Sequence, residues 1–145
     1  MPATLLSTRG LPFFPGRRVD GMIGTGVLMR FTSTPESLLF VDTGLAGAGC
    51  TATKPTLDAA GITLDIAAAG TGTGGGGAVA VIPFTVDRLA LGSAVKRDVR
   101  GLYTPQGSPL SALFPFTPGG LISHQFFLRY APTLDFVRMQ IVLTP

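Results

Sequence analysis

Residues 38–44 read Leu-Leu-Phe-Val-Asp-Thr-Gly, and the reading of this run decides the fold. Four apolar residues in succession predict a strand, and Asp42-Thr43-Gly44 predicts the tight turn that ends it. The strand delivers one carboxylate into surroundings poor in charge. An unpaired buried carboxylate is costly, or is driven to its neutral form. Asp42 therefore either caps its own turn, with Thr43 and Gly44 serving turn geometry, or has a chemical task.

The flanking sequence is mostly strand-like. Residues 27–32 (VLMRFT) and 37–41 (SLLFV) are apolar runs separated by Ser33-Thr34-Pro35-Glu36. Proline in a short polar gap predicts a hairpin. Residues 45–51 form a loop of small residues. Residues 53–61 (TKPTLDAAG) predict a short helix, with Thr53 as cap, Pro55 in the first turn and Gly61 as stop. Residues 70–77 (GTGTGGGG) are the flexible point of the chain. The next run, 78–92 (AVAVIPFTVDRLALG), predicts a strand with an irregularity at Pro83 and a turn at Gly92. Another strand is expected over 94–103, then a Pro-rich loop over 104–119. ISHQFFLRY (122–130) predicts a short helix, and TLDFVRMQIVL (133–143) two strand pieces joined by a turn. Residues 1–20 read as an extended arm. The expected class is all-β, with strands of roughly five to eight residues and one or two short helices.

Composition agrees. The chain has 145 residues, enough for one domain with a real core. It is 46% hydrophobic and only 13% charged, so part of its surface is expected to be apolar and to meet a partner. With 20 Gly and 12 Pro, many turns and few long helices are expected. The net charge of +3 is small and the basic residues are scattered, which argues against a nucleic-acid partner. No apolar run is long enough to predict a membrane span. The first residues lack the pattern of a signal peptide, and the compartment stays open.

One sequence repeat stands out. Residues 21–34 (GMIGTGVLMRFTST) align without gaps to 120–133 (GLISHQFFLRYAPT), matching Gly21 with Gly120, Ile23 with Ile122 and Arg30 with Arg129.

Three elements in order carry a family resemblance: LLFVDTGLAGAG at 38–49, the Gly-rich stretch with its following strand, and GLISHQFFLRYAPTLDF at 120–136. Together they make residues 27–145 resemble a lobe of the retropepsin-like aspartic proteases, especially bacterial forms. The resemblance implies a closed, barrel-like β lobe. It leaves 1–26 as an N-terminal arm, or as the remnant of a preceding lobe suggested by GMIG at 21–24. Two positions depart from the family pattern. Leu45 stands where Ala or Ser is usual. Ser123 stands where a glycine closes the segment packed beneath the active site.

The resemblance also implies the chemistry. Two carboxylates a few ångströms apart cannot both ionise readily, so they share a proton. The ionised one activates a water, and the protonated one polarises the scissile carbonyl. Asp42 supplies one, and the chain contains no second Asp-Thr-Gly. The partner would be Asp42 of a second copy in a homodimer, or a second lobe. Thr43 would bond across to the opposite turn, and Gly44 would donate its amide to a carboxylate. Gly72, Thr73, Gly74 and Gly75 would belong to a flap that closes on a peptide or protein substrate. A non-catalytic lobe used for pairing, or an inert half of a larger protease, are the alternative functions.

Other chemistry finds less support. Gly70, Gly72 and Gly75 match a dinucleotide-binding spacing, but a strand rather than a helix follows. With one His and one Cys, neither a metal site nor a cofactor is expected. His124 is expected to cap the helix near Ser123, and Cys50 to be a small buried group. Asp135 is expected to bond to backbone or to pair with Arg129 or Arg138.

Overall fold

The computed structural model describes residues 3–6, 22–32, 34–74, 77–107, 117–135, 137–138 and 140–145. Most of the expected arm, the centre of the Pro-rich loop at 108–116, and Gly75 lie outside the described residues. The described residues form ten strands: β1 (Ala3–Leu6), β2 (Met22–Phe31), β3 (Ser37–Asp42), β4 (Cys50–Ala52), β5 (Gly70–Gly74), β6 (Gly77–Leu91), β7 (Ala94–Tyr103), β8 (Gly120–Ser123), β9 (Ala131–Asp135) and β10 (Gln140–Thr144). Among the described residues, helix is confined to α1 (Lys54–Ala59) and two short 3-10 turns, Ile66–Ala68 and His124–Phe127.

Six strands close on themselves. Their order is β2-β3-β8-β4-β7-β6, and β6 returns to β2 through Arg30↔Ala90 and Phe31↔Leu89. Closure leaves those strands without free edges, and it gives the barrel-like lobe expected above. Strand β1 extends the ring beside β2, and β5 extends it beside β6. Strands β9 and β10 form a separate two-stranded hairpin.

The β2–β3 hairpin forms as expected, with Val27↔Leu39 and Met29↔Ser37 in register. Thr34 closes its turn by donating both its amide and its hydroxyl to the Phe31 carbonyl, at 2.9 and 2.8 Å. Strand β2 begins earlier than the predicted 27. The expected irregularity at Pro83 is absent: β6 runs through it, with Pro83 opposite Leu102. Proline there lacks only a donor, and the ladder continues on either side.

The interior is filled from every side of the ring. Val27, Met29 and Phe31 come from β2, Leu39 from β3, Phe84, Val86 and Leu89 from β6, and Ile122 from β8. Phe126 and Phe127 cap one end, edge to face with centroids 5.3 Å apart. Helix α1 buries Leu57 against this core. Gly61, with φ +67°, stops that helix as expected. Thr53 occupies the N-cap position, but its hydroxyl meets the Thr56 hydroxyl at 3.0 Å and makes no backbone cap.

The sequence repeat is not a structural repeat. Its first copy lies in the continuous strand β2, whereas the second becomes β8, a 3-10 turn and the start of β9. Gly24 aligns with Ser123, and the difference begins there. The Ser123 hydroxyl accepts the Gln125 amide at 3.1 Å and starts the turn. A glycine has no such group. His124, expected as the cap, is instead the first residue of the turn and is exposed.

Candidate active site

Asp42 is the last residue of β3 and is half-buried. Upstream, Leu39 and Phe40 are buried, so the strand is anchored in the barrel and its end is presented outward. The turn is held by its own acid. The Gly44 amide donates to Asp42 Oδ1 at 2.9 Å, and the Leu45 amide donates to the Asp42 carbonyl at 3.3 Å. Among the described residues, that Gly44 amide is the carboxylate's one hydrogen-bond partner. A Cβ at Gly44 would lie 3.3 Å from Asp42 Oδ1, so glycine lets the amide approach. Thr43 is exposed at the apex, with its hydroxyl unbonded within the described part of this chain. Asp42, Thr43 and Gly44 thus form the tight turn that ends β3.

The loop that follows returns to the same place. Gly49 donates to the Arg100 carbonyl at 2.8 Å, and its own carbonyl accepts the Ser123 amide at 3.0 Å. Strand β8 lies between β3 and β4, parallel to the first and antiparallel to the second. Asp42 is in register with Ser123, and Cys50 with Ile122. The loop therefore leaves from one side of Ser123 and comes back to the other. Ser123 was visible in the sequence only as a departure from the family pattern. Its adjacency to Asp42 depends on a parallel pairing between distant strands, which has no local signal.

The Gly-rich stretch is a hairpin. Gly72 of β5 pairs with Val79 of β6, Thr73 with Ala78, and Gly74 with Gly77. Gly72 is half-buried, and Thr73 and Gly74 are exposed. No hydrogen bond joins this hairpin to the Asp42 turn among the described residues.

Two other charged groups have structural partners, and the cysteine is buried. Asp135 Oδ1 accepts the amides of Arg138 at 2.9 Å and Val137 at 3.0 Å, and the Arg138 guanidinium donates to Oδ2 at 3.1 Å. The Arg138 amide, chiefly, holds the carboxyl below its ordinary range. Arg138, not Arg129, is its ion-pair partner. Cys50 is fully buried and burial pushes its thiol up to about 12, leaving it an inert apolar group. Lys96 Nζ donates to the Gln125 carbonyl. Partial desolvation, and next the nearby Arg129 charge, pull that ammonium below its ordinary value. Among the described residues, no cluster of His, Cys, Asp and Glu is arranged to hold a metal ion.

No protein-family model matches the chain, and no curated protein matches it. Among solved structures, the chain is similar to a retropepsin-like aspartic protease from Rickettsia conorii. The TM-score is 0.54 at 16% identity, over 93% of this chain and 94% of that one. At this identity the likeness concerns the fold. The closed lobe described above is the fold of a retropepsin-like aspartic protease.

Proposed function

We propose that this chain is an aspartic endopeptidase whose active site is completed by a second copy of itself. The observation that carries this reading is the Asp42 turn: a half-buried carboxylate at the end of β3 in a closed lobe of this fold, with one oxygen fixed by the Gly44 amide. In the homodimer, two such turns meet on the two-fold axis. One Asp42 is ionised and removes a proton from a water. That water attacks the scissile carbonyl, and the protonated Asp42 of the other copy donates to the carbonyl oxygen. Collapse of the tetrahedral intermediate breaks the C–N bond: the nitrogen takes the proton that the first Asp42 removed from water, and a hydroxyl of the intermediate returns a proton to the second Asp42 as the new carboxyl forms. The exposed Thr43 hydroxyls tie the two turns together. Residues 27–145 form the body of the protease lobe, and the arm over 1–26 leads into it through the first half of β2. The β5–β6 hairpin, with Gly72, Thr73 and Gly74, closes over an extended peptide.

The test is cleavage of an unfolded protein substrate from about pH 3 to pH 7, where a shared-proton carboxylate pair titrates. The parent chain is expected to cleave, and Asp42→Asn to lose about a hundredfold or more while staying folded. Equal cleavage by both would overturn the reading. No cleavage by either, from folded protein, would favour a non-catalytic pairing lobe or an inert half of a larger protease.

A further inference from the structure

We propose that Ser123 is a positioning residue for Asp42, an inference that rests on the function proposed above. Ser123 has no exposed surface, yet it is polar, and it is the residue of β8 in register with Asp42. Residues paired in a parallel ladder point to the same face of the sheet, on strands about 4.8 Å apart. The backbone of Ser123 also holds the far end of the acid loop, because its amide donates to the Gly49 carbonyl at 3.0 Å. One residue thus borders the loop where it begins and secures it where it ends.

The side chain supplies what a glycine cannot. Its hydroxyl oxygen accepts the Gln125 amide at 3.1 Å, locking the corner where β8 becomes the 3-10 turn. Gln125 is in turn held through its carbonyl by Lys96 of β7. Phe126 and Phe127, the next two residues, are buried in the core. The hydroxyl therefore connects the end of β8, and with it both ends of the acid loop, to a corner anchored by β7 and by two aromatic rings. Without it, the end of β8 is held by its backbone ladder alone and is less firmly fixed relative to β3. A shift there moves the carboxylate away from the geometry that the reaction requires.

Two variants and two readouts test this. Ser123→Ala removes the hydroxyl and keeps the strand geometry. Ser123→Gly also releases the backbone. The expected result is a fall in kcat of about tenfold for Ser123→Ala and more for Ser123→Gly, with KM little changed. The second readout needs no activity. The Gly44 amide donates to Asp42 Oδ1, so its NMR shift and hydrogen-exchange protection report the turn directly. Both are expected to change in the variants, while amides of β6 and β7 away from Ser123 keep theirs. Unaltered Gly44 signals in folded Ser123→Ala and Ser123→Gly would overturn the proposal, as would unaltered kcat. If the parent chain cleaves nothing, the protease reading fails, and the Gly44 amide alone decides whether Ser123 positions the turn.

Discussion

Two glycine-rich regions of this chain have the same composition and opposite surroundings. Gly47, inside the acid loop, has open space at its Cβ position, but at the loop's far end and on the strands that border it three glycines stand where other atoms occupy the space of a side chain. A Cβ at Gly120 would lie 2.1 Å from the Thr51 carbonyl oxygen, one at Gly101 2.2 Å from the Phe84 ring, and one at Gly49 2.5 Å from a Val99 methyl. In the β5–β6 hairpin, a Cβ at Gly70 or Gly77 would meet nothing within 4 Å, and one at Gly72 or Gly74 would come no nearer than 3.3 Å, to a side-chain methyl of the partner strand. In the first region glycine permits packing so close that β8, β4 and β7 can hold the Asp42 loop. In the second it leaves a light, exposed ribbon. On the proposed reading, the packed base positions the acid and the exposed ribbon serves as its cover.

Substitution by alanine is the direct way to break this comparison. Gly120→Ala is expected to have the largest effect. Its added methyl meets backbone rather than a side chain that can turn away, at a φ of +155° that other residues rarely adopt. A loss of about 3 kcal/mol or more is expected, read as a lowered denaturant midpoint. Gly101→Ala should lose about 1–3 kcal/mol, because the Phe84 ring is displaced into a filled core. Gly70→Ala should leave stability unchanged, or raise it by up to about 1 kcal/mol through a less flexible unfolded chain. A large loss at Gly70 would mean that the hairpin is packed against something, and the contrast would fail.

Two titrations sharpen the same contrast. Cys50 begins β4 inside the packed base, with its thiol pushed up to about 12 by burial. A thiol reagent at pH 8 is expected to leave it unmodified in folded protein and to modify it fully in denaturant. Rapid modification of the native chain would show the base opening. Burial of the neutral thiol also means that stability falls as pH rises above the ordinary thiol range, where the unfolded chain ionises and the folded chain does not. Asp135 behaves in the opposite direction. Its carboxyl is held low in the folded chain, chiefly by the Arg138 amide. Its contribution is therefore present above the ordinary carboxylate value and lost as pH falls through the lower folded one. Thermal unfolding of parent and Asp135→Asn should differ slightly near neutrality and converge in acid.

The sequence made the local elements legible, and the reasons are particular. Pro35 and the polar residues around it marked the β2–β3 hairpin, and Pro55 and Gly61 bounded α1. Asp42-Thr43-Gly44 marked the acid turn because an Asp side chain two residues before a Gly amide closes a tight turn by itself. What escaped was non-local. Residues 21–34 and 120–133 look alike, yet one strand runs straight while its counterpart turns at Ser123. Thr25 and Val27 are β-branched and favour the extended chain. The serine hydroxyl, and a core that takes up Phe126 and Phe127, favour the turn. The cap was misread for the same reason: His124 drew attention as the only histidine, while Ser123 beside it held the bond. Nor could the pairing of Asp42 with Ser123 be seen, since a parallel pair needs a long connection and leaves no turn signature.

The central claim is that the active site is complete only when two Asp42 turns meet. Refolding the parent chain with an equal amount of Asp42→Asn tests it most directly, with cleavage measured per mole of parent. The account predicts a fall to about half, because half of the parent subunits then pair with a chain that lacks the carboxylate. Activity unchanged by the added Asp42→Asn would contradict it, and would place catalysis within a single lobe.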